Sequence, residues 1–162
     1  MSWMGRTPGA AARTWAAAVL IALTCVACSK AEATGTRTYG VWVQQFRFNG
    51  LPATVRPGIF QISYSNREAF PFTHEMVLVS LQAGQTAQDV INDAKRKGES
   101  SEDDWLHFGE IPDVGTGATK VGIFDLPPGT YALACWEQGT PGGGTGEVHA
   151  ARGMVYRFAV TP

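Results

Sequence analysis

The chain of 162 residues predicts an all-β fold, a Greek-key antiparallel β-sandwich with one short helical insertion. Three observations carry this. Apolar runs of strand length recur at fairly regular spacing and are bounded by turn signals such as Asn49-Gly50 and Pro127-Pro128-Gly129. Glycine is abundant, at 19 residues. Only one segment, 86–97, has helical periodicity.

The first strand is read over Val41–Phe48, stopping at Asn49-Gly50, and the second over Gly58–Ser65, with Phe60, Ile62 and Tyr64 on one face. Glu75–Leu81 is nearly all apolar, as a central strand buried on both faces should be. Three late strands follow at Lys120–Leu126, Thr130–Trp136 and Met154–Val160, the first two joined by Pro127-Pro128-Gly129. The helix opens with Thr86-Ala87-Gln88-Asp89, a capping box with Asp in place of Glu, and ends at Gly98. Val90, Ile91 and Ala94 share one of its faces. The acidic run Glu99–Asp104 lacks calcium-loop spacing and reads as a solvated loop.

Domain organisation follows from the ends. Residues 1–27 read as a lipoprotein signal peptide: Arg6 and Arg13 give a positive start, and Trp15–Ala27 is apolar but short for a span. Small residues before Cys28 resemble a bacterial lipobox, with Cys28 as the lipidated residue, although Cys25 stands where Leu, Val or Ile is usual. Ordinary cleavage after Ala31-Glu32-Ala33, giving a soluble secreted or periplasmic protein, is the alternative. Residues 28–38 are a small, polar tether and residues 39–162 one domain, long enough for a proper core. The expected location is the outer face of a bacterial cytoplasmic membrane, held there by lipid.

Charge excludes more than it suggests. The 13 basic and 14 acidic residues become 11 against 14 once Arg6 and Arg13 are removed. No basic patch argues for nucleic acid, and no second long apolar run argues for a spanning helix.

Cys135 is the residue that points to chemistry. With Cys25 in the leader and Cys28 lipidated, it has no intramolecular disulfide partner in an oxidising compartment. It is then either a small buried apolar residue or a metal thiolate. His74 lies upstream beside an apolar run, His149 downstream, and Met154 follows His149 after four residues. Two histidines, a thiolate and a thioether are the ligand set of a blue-copper centre. Taken singly, each has a plainer role: His74 in the core, His149 on the surface, Met154 in packing. His107 has no place in the pattern and reads as structural.

The residues resemble the cupredoxins, the plastocyanin- and azurin-like blue-copper family. Pro52–Gly58, Asn66 and Phe72-Thr73-His74 resemble its front half; Leu126–Cys135 resembles the strand that delivers the copper cysteine. His149-Ala150-Ala151-Arg152-Gly153-Met154 resembles its closing loop, and the order His, Cys, His, Met is the family's. The resemblance implies one copper ion held by His74, Cys135, His149 and Met154, cycling between Cu(I) and Cu(II). Asn66 is a candidate to brace the ligand loop; Glu75 is either a supporting residue or a solvent-facing one. One departure is that 13 residues, many of them glycine, separate Cys135 from His149 where simple members have few. Closure cost grows slowly with loop length, yet a less constrained loop leaves open a looser or more tetragonal copper site.

The function expected is one-electron transfer with a redox protein or copper donor or acceptor as partner. The alternative is a cupredoxin-fold lipoprotein for copper storage or delivery, or for metal-free partner binding. An enzyme is the weakest option: there is no Ser-His-Asp order, no second cysteine for a dinuclear copper centre and no His-x-His pair.

Overall fold

The computed structural model describes residues 36–139 and 146–162. The leader, Cys28, most of the tether and residues 140–145 of the Gly-rich segment lie outside the described residues.

Strands β1 (Arg37–Gln44), β2 (Arg47–Asn49), β4 (Gly58–Asn66) and β7 (Thr119–Leu126) form one sheet in the order β2-β1-β4-β7. Strands β3 (Thr54–Val55), β5 (Thr73–Leu81), β6 (Leu106–Gly115), β8 (Gly129–Ala134) and β9 (Val155–Val160) form the other, in the order β3-β9-β8-β5-β6. The expected sandwich is present, and its sheets are mixed rather than wholly antiparallel. β1 runs parallel to β4 because the chain passes through β3, on the edge of the opposite sheet, before it returns; β3 in turn lies parallel to β9.

The facing sides of the sheets enclose the main core. Val41, Val43, Phe60, Ile62 and Tyr64 meet Met76, Leu78, Leu133, Cys135 and Phe158 there. A second cluster covers the outer face of the five-stranded sheet, where Val77, Val79, Ala132, Ala134 and Trp136 pack under Val90 and Ala94 of helix α1 (Ala87–Lys97). That explains the unbroken apolar run of β5, which is buried on both faces. Helix α1 begins where the capping box places it, with the Thr86 backbone N–H donating to the Asp89 carboxylate at 2.8 Å.

Three local readings change. The run expected as one strand to Phe48 breaks at Gln45 and Phe46, which have φ of 53° and 56°. They form the two-residue turn of the β1–β2 hairpin, in which Gln44 pairs with Arg47. The acidic run is a 3-10 turn over Gly98–Asp104, not a loop, and Ser101 within it is fully buried, accepting from Trp136 Nε1 at 2.8 Å. The third is β6, an edge strand without sequence alternation, since only Ile111 and Val114 are buried and its register with β5 shifts twice. Pro112, which cannot donate to a ladder, is tolerated there because one side of an edge strand is unpaired.

Gly50 ends the β1–β2 hairpin at φ 91°, where a Cβ would collide with the Gly40 carbonyl and the Trp42 ring. Both the backbone conformation and the space demand glycine. Gly50→Ala is expected to destabilise the domain by about 2–4 kcal/mol in denaturant unfolding. A change within about 0.5 kcal/mol would show that the hairpin relaxes freely.

Candidate metal centre

The ends of three elements converge at one end of the sandwich. His74, the second residue of β5, points inward on the same face as Met76 and Leu78. Cys135 follows the last residue of β8, where Ala134 is fixed between Val77 of β5 and Val155 of β9. His149 and Met154 flank the turn into β9, in which Arg152 N–H and Met154 N–H both donate to the His149 carbonyl, at 3.1 and 3.0 Å.

The side chains meet. His74 Nδ1 and His149 Nδ1 are 3.0 Å apart, and Cys135 Sγ lies 3.4 Å from His149 Nδ1 and 3.8 Å from His74 Nδ1. All three residues, and Met154, have 0% of their surface exposed. Met154 packs in the same apolar cluster as Cys135. Among the described residues this is the group of His, Cys, Asp and Glu donors positioned to hold a metal ion.

The long segment after Cys135 does not loosen the ligands, because it is closed at its base. Ala150 N–H donates to the Cys135 carbonyl at 2.6 Å and His149 N–H to the Glu137 carbonyl at 2.9 Å, while Gln138 bridges to Val148. The described residues on either side of the segment thus form a backbone clamp that sets His149 beside Cys135. This favours a tight site over the looser one that loop length alone left open.

Asn66 braces the approach to His74. Its Nδ2 donates to the Phe72 and Val114 carbonyls, both at 2.8 Å, and its Oδ1 accepts from Glu68 N–H at 3.0 Å. Glu75 is half-buried and faces away from His74, accepting from Trp136 N–H at 2.5 Å, so it supports the chain directly after Cys135. Burial pushes its carboxyl up to about 7, against the pull of that N–H. His107 stays outside the site, on exposed surface, with Nε2 3.1 Å from the Glu102 carbonyl.

Two residues that sequence reasoning missed complete the site. Phe46 at the hairpin turn lays its ring against both imidazoles, with centroids 4.9 Å from His149 and 5.4 Å from His74. Glu68 holds that turn in place: its carboxylate accepts from Gln45 N–H at 3.0 Å and Phe46 N–H at 2.7 Å. The same carboxylate stands 3.5 Å from His74 Nε2. A hairpin with two left-handed non-glycine residues is strained, and two charge-assisted hydrogen bonds offset the strain. No turn signal marks Gln45-Phe46, and Glu68 lies more than 20 residues further on, so neither announces itself in the sequence.

Electrostatics keep the donors in distinct states. Burial drives His74 down to about 3, assisted by His149 and Arg152, and drives His149 down to about 4. Burial pushes the Cys135 thiol well above its ordinary range. The metal-free site thus holds two neutral imidazoles and a protonated thiol at neutral pH.

The donor set fits a small, soft-to-borderline ion. Three donors roughly 2.0–2.3 Å from a first-row ion in a trigonal plane would stand roughly 3.5–3.8 Å apart. The observed 3.0–3.8 Å separations need only a slight opening. Two imidazoles with one thiolate and a nearby thioether are the donors that copper takes in trigonal sites.

Fold and donor arrangement together define a cupredoxin-like domain with a buried His2Cys cluster. Its architecture is similar to that of the dithionite-reduced auracyanin of the photosynthetic bacterium Roseiflexus castenholzii, with TM-score 0.56 and 20% identity, covering 79% of this chain and 100% of that one. Auracyanin A, a "blue" copper protein of the green thermophilic photosynthetic bacterium Chloroflexus aurantiacus, gives TM-score 0.53 and 20% identity over 78% of this chain and 100% of its own. Auracyanin B gives TM-score 0.54 and 20% identity over 81% and 93%. No family model matches the chain, and no curated protein matches it.

Proposed function

We propose that this chain is an extracytoplasmic copper protein that carries single electrons through a mononuclear site made by His74, Cys135, His149 and Met154. The observation that carries the reading is the meeting of His74 Nδ1, His149 Nδ1 and Cys135 Sγ inside the core, in a chain whose described residues contain no second cysteine. Copper, when bound, supplies a one-electron couple. The protein's part is to hold the donors still. Cys135 is fixed by β8 and the Ala150 clamp, His74 by β5 and the Asn66-braced loop, and His149 by its own turn. Donors that do not move between oxidation states keep the reorganisation cost of electron transfer small. Full burial of all four side chains favours a resident ion over one handed on to another protein.

The segment ending at Cys28 supports export and lipid anchoring, and no helix among the described residues is long and apolar enough to cross a membrane. Metabolic labelling with a fatty acid that is lost in Cys28→Ala would support the anchor; labelling unchanged in that variant would overturn it.

The test of function is to load the full chain with one equivalent of copper and record its visible spectrum and voltammogram. The expected result is an intense thiolate-to-copper band and a reversible one-electron wave. A bound ion with neither would overturn the electron-transfer reading.

Copper affinity should also depend on pH in a specific way. Metal binding displaces protons from its ligands. Both imidazoles are neutral above about pH 5, whereas the Cys135 thiol is protonated. Between about pH 5 and 8, Cu(I) affinity should therefore rise about tenfold per pH unit, with one proton released per ion. A steeper slope below about pH 6.5 would mean that the histidines titrate normally.

A further inference from the structure

Charge is segregated around the cluster. On the outer face of the five-stranded sheet, Glu75, Glu99, Glu102 and Glu137 line a pocket of about 260 Å³ beside Trp136. At the β1–β2 turn the Glu68 carboxylate is buried against the Gln45 and Phe46 amides, and the exposed charges are cationic. A larger groove, of about 620 Å³, runs there, with Gln45, Phe46, Arg47, Asn49, Arg152 and Tyr156 along it and no acidic residue in its lining. Arg47 and Arg152 are exposed, and so is Arg67, whose guanidinium lies 4.5 Å over the Trp42 ring. Among the described residues, none of these three arginines is within ion-pair distance of a carboxylate.

Phe46 joins this groove to the cluster. One side of its ring contacts His149 at 4.9 Å between centroids; the Arg152 guanidinium sits 4.1 Å over the ring. An electron leaving His149 toward the groove has one aromatic ring to cross before it meets solvent. Unpaired arginines beside an aromatic are the residue types that anchor protein interfaces. A groove of one sign with low-dielectric walls also concentrates partners of the other sign and speeds encounter by about 10- to 1,000-fold at low salt.

We propose that the groove at Phe46, lined by Arg47 and Arg152, is where a redox partner bearing an acidic face docks to exchange electrons with the buried site. The inference rests on the copper reading above and adds the partner's chemistry to it.

Native cytochrome c, which is basic, and its succinylated form, which is acidic, present one haem under opposite charge and serve as the probes. Electron exchange of the copper-loaded full chain with each is followed by stopped flow at about 10 and about 150 mM ionic strength, where the screening length falls from about 30 to about 8 Å. The expected result is that the acidic form reacts at least about tenfold faster than the basic form at low salt, with the ratio shrinking toward one as salt rises. Arg47→Glu combined with Arg152→Glu should lower or invert that ratio. A change in the copper's own potential affects both probes alike, so it cancels in comparing the ratio between variant and parent.

A faster reaction with the basic form, or a ratio unchanged in the variant, would overturn the docking proposal while leaving the copper site standing. Failure of the loaded chain to show a thiolate-to-copper band would overturn the copper reading first, and the docking proposal with it. The band in the Arg variant shows that the site itself is intact.

Discussion

Cys135→Ser is expected to abolish the thiolate-to-copper absorption and to weaken Cu(I) binding by more than about 100-fold. Loss of a mere outer partner of a metal ligand typically costs about 10- to 100-fold, so loss of a soft donor itself should cost more. The fold should tolerate the change. Cys135 is fully buried, yet its Sγ already lies 3.4 Å from His149 Nδ1, so a serine hydroxyl there has a neighbour to hydrogen-bond. Metal-free stability should therefore fall by about 1 kcal/mol or less, and the Ala150 N–H contact to the residue 135 carbonyl, being backbone, should survive. The two readouts must be taken together. Copper affinity retained in the variant would return Cys135 to the role of a small core residue, one of the two readings its isolation in the sequence allowed. Affinity lost along with stability would only show that the core had collapsed, which is why unfolding of the metal-free variant is measured alongside.

What could be read beforehand was whatever local pattern enforces. The run from Met76 to Val79 is apolar because β5 is covered on both faces, by the opposing sheet and by helix α1, and such burial leaves its mark residue by residue. Thr86 and Asp89 cap the helix within one turn of each other. The four donors stand in a chain order that itself suggested copper, and the structure brings His74, Cys135 and His149 together. Glu75, left open between two roles, proves to hold the N–H of Trp136 while facing away from the cluster.

What could not be read depends on partners distant in sequence. The turn at Gln45-Phe46 contains no Gly, Asn or Asp; a carboxylate more than 20 residues away makes it possible. The strand β6 hides because only two of its side chains are buried and the ladder to β5 is twice out of step. Loop length is misleading for the same reason. The 13 residues between Cys135 and His149 matter less than three backbone contacts at their base, which no composition rule reveals.

Asn66→Ala should show how far the ligand loop depends on one side chain. Asn66 is 1% exposed and ends β4, and its amide satisfies three backbone groups at once. Alanine would strand the Glu68 N–H and the Val114 carbonyl, while the Phe72 carbonyl keeps Thr116 Oγ1 at 3.2 Å. Each buried polar group left without a partner costs about 1–3 kcal/mol, so a loss of about 2–5 kcal/mol in the metal-free domain is expected. Asn66→Asp is expected to be worse at neutral pH. It keeps an acceptor for Glu68 N–H but turns a carboxylate oxygen toward two carbonyl oxygens in a buried site, where an unpaired charge is costly. The damage should reach the metal, because the loop between Asn66 and His74 carries both Glu68, which clamps the Phe46 turn, and Phe72, whose ring stands 6.2 Å from that of His149. In the loaded Ala variant the copper spectrum should broaden, as donors no longer held in one arrangement sample several. A loss below about 0.5 kcal/mol with an unaltered spectrum would mean that the backbone clamps alone set the geometry. A large stability loss with a sharp spectrum would instead confine Asn66 to holding that end of the sandwich, leaving His74 positioned by β5.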